Sequence, residues 1–249
     1  MTGLLRSELL KITSVRATYA LALGCLAYVA LDVVALAFAA GQPGLPPLTD
    51  PAQVRNVYAS SGAAAALVLV LGILGMTTEY RNQTVTPTFL VTPRRGRVLA
   101  AKMVVHAFAG LAVGAACAAL ALGLGSACLA FRAHAPVGWA TLAQIEGGAL
   151  LGYAIYAAVG ACVGALVRNQ VAAIVGALLW TVVAESLTVA LLPAVGRWLP
   201  AGALAGVLQS TPLRGGSYLP VWAGAVVLVG YGAVLALVAT RTTLRRDVT

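Results

Sequence analysis

Ala63-Ala64-Ala65-Ala66-Leu67-Val68-Leu69-Val70-Leu71-Gly72-Ile73-Leu74-Gly75-Met76 runs without one polar side chain and then breaks into Thr77-Thr78-Glu79-Tyr80-Arg81. A helix crossing a bilayer needs such a run, about 20 apolar residues for a hydrocarbon thickness of roughly 30 Å. The run is continuously apolar, without the alternation of a barrel strand, so a helix is predicted.

Outward from this stretch the same pattern recurs. Of the 249 residues, 61% are hydrophobic and 9% charged, which excludes a water-soluble domain. Apolar stretches at about 17–40, 59–77, 103–131, 140–166, 170–193 and 219–240 are each long enough to span. The expected fold is all-α and polytopic: six transmembrane helices in a single transmembrane domain over residues 1–249. An amphipathic lead (1–16), a cytoplasmic loop (78–101) and an external interfacial segment (194–218) complete it.

Lys and Arg near span ends prefer the cytoplasm. With the N-terminus inside, Arg6, Lys11, Arg16, Arg81, Arg94, Arg95, Arg97, Lys102, Arg168, Arg241, Arg245 and Arg246 share one face, against Arg55, Arg132, Arg197 and Arg214 on the other. Both termini are therefore expected in the cytoplasm. The net charge of +9 is mostly topological, with some left to meet anionic lipid headgroups; it gives no reason to invoke nucleic acid. The first span lacks a small-residue cleavage site and reads as retained.

Smaller features follow. In the lead, Leu5, Leu9 and Ile12 share a helical face, with Arg6 and Lys11 toward another, which suits a helix lying in the interface or a plain orientation signal. Residues 41–58, with Pro43, Pro46, Pro47 and Pro51, read as a turn-rich external loop. Gly110 and Gly114, and Gly148, Gly152, Gly160 and Gly164, allow close helix approach within the subunit. Arg168-Asn169 makes a tight turn that sets spans four and five side by side. Cys25, Cys117, Cys128 and Cys162 fall in spans with neither metal-ligand spacing nor a disulfide framework.

No phosphate loop, metalloprotease helix or nucleophile elbow is present, and His106 and His134 lack evident catalytic partners. A self-contained enzyme and a metal site are therefore not expected. Asp32, Glu146 and Glu185 lie within or just inside spans, where a charge costs roughly 2.5–3.5 kcal/mol on insertion scales. All three fall toward the external half, within expected reach of Arg132, His134 or Arg197, so an outer-gate or ion-pair role is expected ahead of a proton relay.

The polar stretch 77–97 has the chemistry of a docking element. Thr84, Thr86 and Thr88 can cap a helix start, Phe89, Leu90 and Val91 are apolar with no lipid to face, and Pro87 and Pro93 punctuate it. A short helix at about 86–91 is expected to present Phe89 and Leu90 to a partner protein.

Glu79-Tyr80-Arg81-Asn82-Gln83-Thr84, then Phe89-Leu90-Val91-Thr92-Pro93-Arg94-Arg95, then Ala101-Lys102, resembles the first cytoplasmic loop of permease subunits of type 2 ATP-binding-cassette (ABC) exporters. The lead, the six spans and the interfacial segment before span six match as well, so the resemblance covers nearly the whole chain. It implies an elbow helix in the lead and a coupling helix in the loop. It also implies Glu79, Arg81, Thr84, Phe89, Leu90, Thr92, Pro93, Arg94 and Lys102 as the ATPase-coupling residues. A separate ABC ATPase subunit would bind ATP and Mg, and a homodimer or heterodimer of permeases would form a pathway lined by spans one, two and five. Composition rich in Ala, Gly, Val and Arg suggests a GC-rich bacterium, hence a bacterial plasma membrane. Two alternatives stand beside this: a proton- or cation-coupled secondary carrier using Asp32, Glu146 and Glu185, and a non-transporting membrane scaffold.

Overall fold

The computed structural model describes residues 2–84, 95–212 and 216–245. The chain is a helical membrane protein with six helical stretches long and apolar enough to cross a bilayer. The lead is helix α1 (Thr2–Ser14), and span one is α2 (Arg16–Ala39). Span two is composite: α3 (Pro51–Ala59), a 3₁₀ turn (Ser60–Gly62) and α4 (Ala65–Arg81). Spans three and four are α5 (Arg95–Leu129) and α6 (Trp139–Val167). Span five runs through α7 (Gln170–Leu178), a π turn (Leu179–Ala184) and α8 (Glu185–Leu191). Two short helices, α9 (Pro193–Gly196) and α10 (Pro200–Val207), precede span six, α11 (Val221–Arg245).

Several boundaries differ from the sequence reading. The expected loop over 41–58 is helical from Pro51, because Asp50 accepts a hydrogen bond from Ala52 N at 2.8 Å and proline at the first helical position starts a helix. The loop expected over 78–101 is narrower at both ends. Helix α4 continues to Arg81, since Thr77 Oγ1 bonds back to Ile73 O at 2.8 Å and Glu79 finds cations, while α5 begins at Arg95. The expected coupling helix at 86–91, with Phe89, Leu90, Thr92, Pro93 and Arg94, lies outside the described residues.

Helices α4 and α6 make the centre. They cross so closely that a methyl on Gly72 would strike Ala157 O, and one on Gly160 would strike Leu69 O. Gly148 and Gly152 receive Val207 and Leu204 of α10, so within the segment expected over 194–218 the helix Pro200–Val207 packs on α6 and α11. Gly110 and Gly114 seat α5 against Tyr153. The glycines thus serve close packing within the subunit. Burial grades outward: 78% of the apolar window of span two is buried, against 22% for span one, 11% for span six and 6% for span five. The outer spans present long apolar faces, as a lipid solvent requires.

Candidate functional site

The site lies at the end of the bundle that carries most of the basic residues, where α1, α4 and α5 converge. Helix α4 closes there with a Schellman motif. Gln83 takes a left-handed conformation (φ 56°), Thr84 N donates to Glu79 O at 3.0 Å, and Gln83 N donates to Tyr80 O at 3.2 Å. Thr84 thus helps to close the preceding helix, where the carbonyls of the last turn lack intrahelical partners.

This closure leaves Glu79 in the last turn of α4, facing Lys102 two turns into α5. Lys102 Nζ donates to Glu79 Oε1 at 2.7 Å, to Glu8 Oε2 of α1 at 2.7 Å and to Gly75 O at 3.2 Å. All three ammonium protons are used, and the residue is fully buried. Lys11 adds a second ammonium, 2.6 Å from Glu79 Oε1 and 2.8 Å from Glu8 Oε1. Two lysines and two glutamates thus balance in one cluster, and all the ion pairs among the described residues belong to it.

The cluster sets the protonation of its peripheral members. Burial alone would raise the Glu8 carboxyl, but the charge and hydrogen bond of Lys102, joined by Lys11, outweigh it and hold the group below its ordinary value. Burial would lower Lys11, but its bonds to Glu79 and Glu8 hold it above its ordinary value.

The cluster also changes how α1 sits. Glu8 and Ile12 are buried against the bundle, while Leu9 and Leu10 are more than half exposed. The expected apolar face of Leu5, Leu9 and Ile12 is therefore split, because a buried cation on α5 draws the charged side of the helix inward and turns Leu9 and Leu10 outward. In a lipid solvent that orientation costs the leucines nothing.

One turn beyond Lys102, His106 is buried with Nδ1 2.7 Å from Lys102 O. A carbonyl only accepts, so Nδ1 carries the hydrogen of this bond. The ring fills the notch left by Gly75, where any side chain would collide with it. Beside the cluster a cavity of about 790 Å³ opens between α1, α2 and α4, reached by His106 and by Gln170 at the start of α7. Arg81 lines it and is exposed.

A second cavity, also about 790 Å³, lies toward the opposite end between α2, α3, span five and α10, and Asp32 lines it. Glu185 is buried and accepts from Ala201 N at 2.7 Å, capping α10. Glu146 is buried with neither carboxyl oxygen hydrogen-bonded. The expected ion pairs with arginine or histidine do not form among the described residues. Arg132 donates to Ala37 O and lies over Phe38 at 5.1 Å, Arg197 lies over Trp198 at 5.8 Å, and His134 Nδ1 is 2.9 Å from Arg132 O. Aromatic rings and backbone carbonyls, on α2 for Arg132 and on neighbouring residues for Arg197 and His134, take these side chains instead.

Of the coupling residues expected from sequence, Glu79, Lys102, Arg81 and Thr84 are gathered at this end, the first two in direct contact. Glu8, Lys11, His106 and Gln170 were not expected at the site. Glu8 carried one signal: an acid inside an interfacial lead, in a chain with only seven acidic residues. Neither models of protein families nor curated proteins give a match to this chain.

Proposed function

We propose that this chain is the membrane-spanning subunit of a type 2 ABC exporter, pairing with a second permease subunit and with separate ATPase subunits that bind ATP and Mg. It resides in a bacterial plasma membrane with the basic end in the cytoplasm. The observation that carries the reading is the clamp at that end. Glu79 and Lys102, the outer members of the motif, are joined at 2.7 Å and are both tied to α1, Lys102 through Glu8 and Glu79 through Lys11.

A push delivered to residues 85–94 by a partner therefore meets a rim in which spans two and three and the lead move together. The motion is passed to α4, which sits at the packed centre and borders both cavities. Spans one, two and five flank those cavities, which suits a pathway along that face.

The test is affinity purification of the tagged chain in mild detergent, with ATP hydrolysis assayed, for wild type and the Phe89→Asp, Leu90→Asp double variant. Co-purification of a Walker-motif ATPase that the variant loses supports the reading. A wild-type preparation free of any ATPase overturns it.

One observation favours a second reading, the proton- or cation-coupled carrier: the unpartnered carboxyl of Glu146 at membrane depth. The capping duty of Glu185 argues against the three carboxylates acting as one relay. Transport that survives ATP depletion and is lost in Glu146→Gln would select the carrier.

A further inference from the structure

Asp32 stands on α2, seven residues before the helix ends at Ala39, and belongs to none of the ion pairs among the described residues. A carboxylate inside a membrane-spanning helix is costly without a partner and marks a functional site. Arg132, which reaches α2 from beyond the end of α5, bonds Ala37 O and lies over Phe38 instead. Asp32 is half-buried and lines the second cavity, of about 790 Å³, between α2, α3, span five and α10.

The wall of that cavity carries charge of one sign. Among the described residues Asp32 is its only charged side chain, with no lysine, arginine or histidine, although the chain holds 16 basic residues against 7 acidic. Tyr28 lies one turn before Asp32 on the same face of α2, and Tyr156 and Tyr218 line the wall as well. Aromatic rings beside a carboxylate are the chemistry that recognises an organic cation, the rings through their negative faces. The remaining polar side chains are serine and threonine hydroxyls and Asn56, whose amide is bonded to Thr211 at 2.8 and 2.9 Å. A hydroxyl both donates and accepts, so selection by charge falls to Asp32. Leu36 and Leu204 add hydrocarbon to the wall, and the volume falls in the range of roughly 300–1,000 Å³ that holds a drug-sized ligand.

We propose that this cavity binds a small organic cation with an aromatic or apolar body. The cationic centre sits beside Asp32, and the body lies against the tyrosines and leucines. A carboxylate or sulfonate of the same size would meet Asp32 with no cation in the described wall to offset it. The proposal stands on this cavity and not on ATP-driven export.

The experiment uses the full chain in nanodiscs of phosphatidylcholine, with empty nanodiscs as the blank. Benzyltrimethylammonium, benzenesulfonate and tetramethylammonium are titrated by calorimetry. The first has both ring and positive charge, the second the ring with a negative charge, the third the positive charge without a ring. The expected result is saturable binding of benzyltrimethylammonium, at least about 10-fold tighter than either of the others. Asp32→Asn, which keeps the shape and removes the charge, is expected to weaken benzyltrimethylammonium by about 10-fold with an unchanged elution profile on size-exclusion chromatography.

Absence of saturable benzyltrimethylammonium binding to the wild-type protein overturns the proposal without any variant. Equal affinity for benzenesulfonate or for tetramethylammonium does the same, since it removes the role of the charge or of the rings. A folded Asp32→Asn protein that binds benzyltrimethylammonium as tightly as wild type also overturns it.

Discussion

Lys102 is the residue on which the site turns, and its position in the sequence hides that. It sits seven residues into a helix whose remaining face is apolar, and only α1 and α4 together make its burial tolerable. Removing one member of a buried charge cluster typically costs about 3–5 kcal/mol, because the partners stay buried and uncompensated. Lys102→Met is thus expected to lower the thermal unfolding midpoint in detergent strongly. Glu8→Gln with Lys102→Met, which leaves Lys11 and Glu79 balanced, is expected to recover a large part of the loss; a double variant at least as unstable as the single would refute the pairing. The same residues predict a pH window for the docking of α1. Glu8 lies below its ordinary value of 4.5, so its stabilisation is present above 4.5 and is lost as pH falls through its folded value. Lys11 lies above 10.5, so its share is present below 10.5 and is lost as pH rises through its folded value. A spin label at Leu9, on the exposed side of α1, is expected to stay immobile between those limits and to gain mobility beyond either.

Among the elements, the crossing of α4 and α6 decides whether the bundle closes. Gly72 and Gly160 meet backbone, not flexible side chains, so a larger residue there moves a whole helix. Gly160→Leu is expected to abolish monodisperse protein on size-exclusion chromatography. Gly123→Leu, where nothing stands within 4 Å of a built side chain, is expected to elute like wild type. Equal behaviour of the two would refute the packing argument. The composite span two shows why boundaries were harder to read than spans. Asp50-Pro51 is a helix start, but Pro51 among three nearby prolines looks like a loop. Tertiary context also explains α10, whose eight residues are too short to span yet are buried between α6 and α11, its N-terminus capped by Glu185 sixteen residues upstream.

For the whole molecule, the basic end and the opposite end must face different compartments. His134 and Arg97 are exposed at opposite ends, while the native Cys25, Cys117 and Cys162 are buried and Cys128 is half-buried. In intact cells, His134→Cys is expected to react with a membrane-impermeant maleimide, and Arg97→Cys only after permeabilisation. The reverse pattern would invert the topology.

The sequence by itself determined the membrane class, the helical spans and the asymmetry of basic residues. Each of these rests on a local property, the length of an apolar run or the charge beside it. It also marked Glu79 and Lys102 as notable, through a motif that brackets the polar stretch. Only the tertiary structure decided that these two residues touch, that Glu8 and Lys11 of the lead complete the cluster, and that His106 and Gln170 line the cavity beside it. Those relations join residues separated by up to 94 positions and arise from three helix ends packing together. A reading by neighbours and periodicity has no access to such a contact until the helices are assembled.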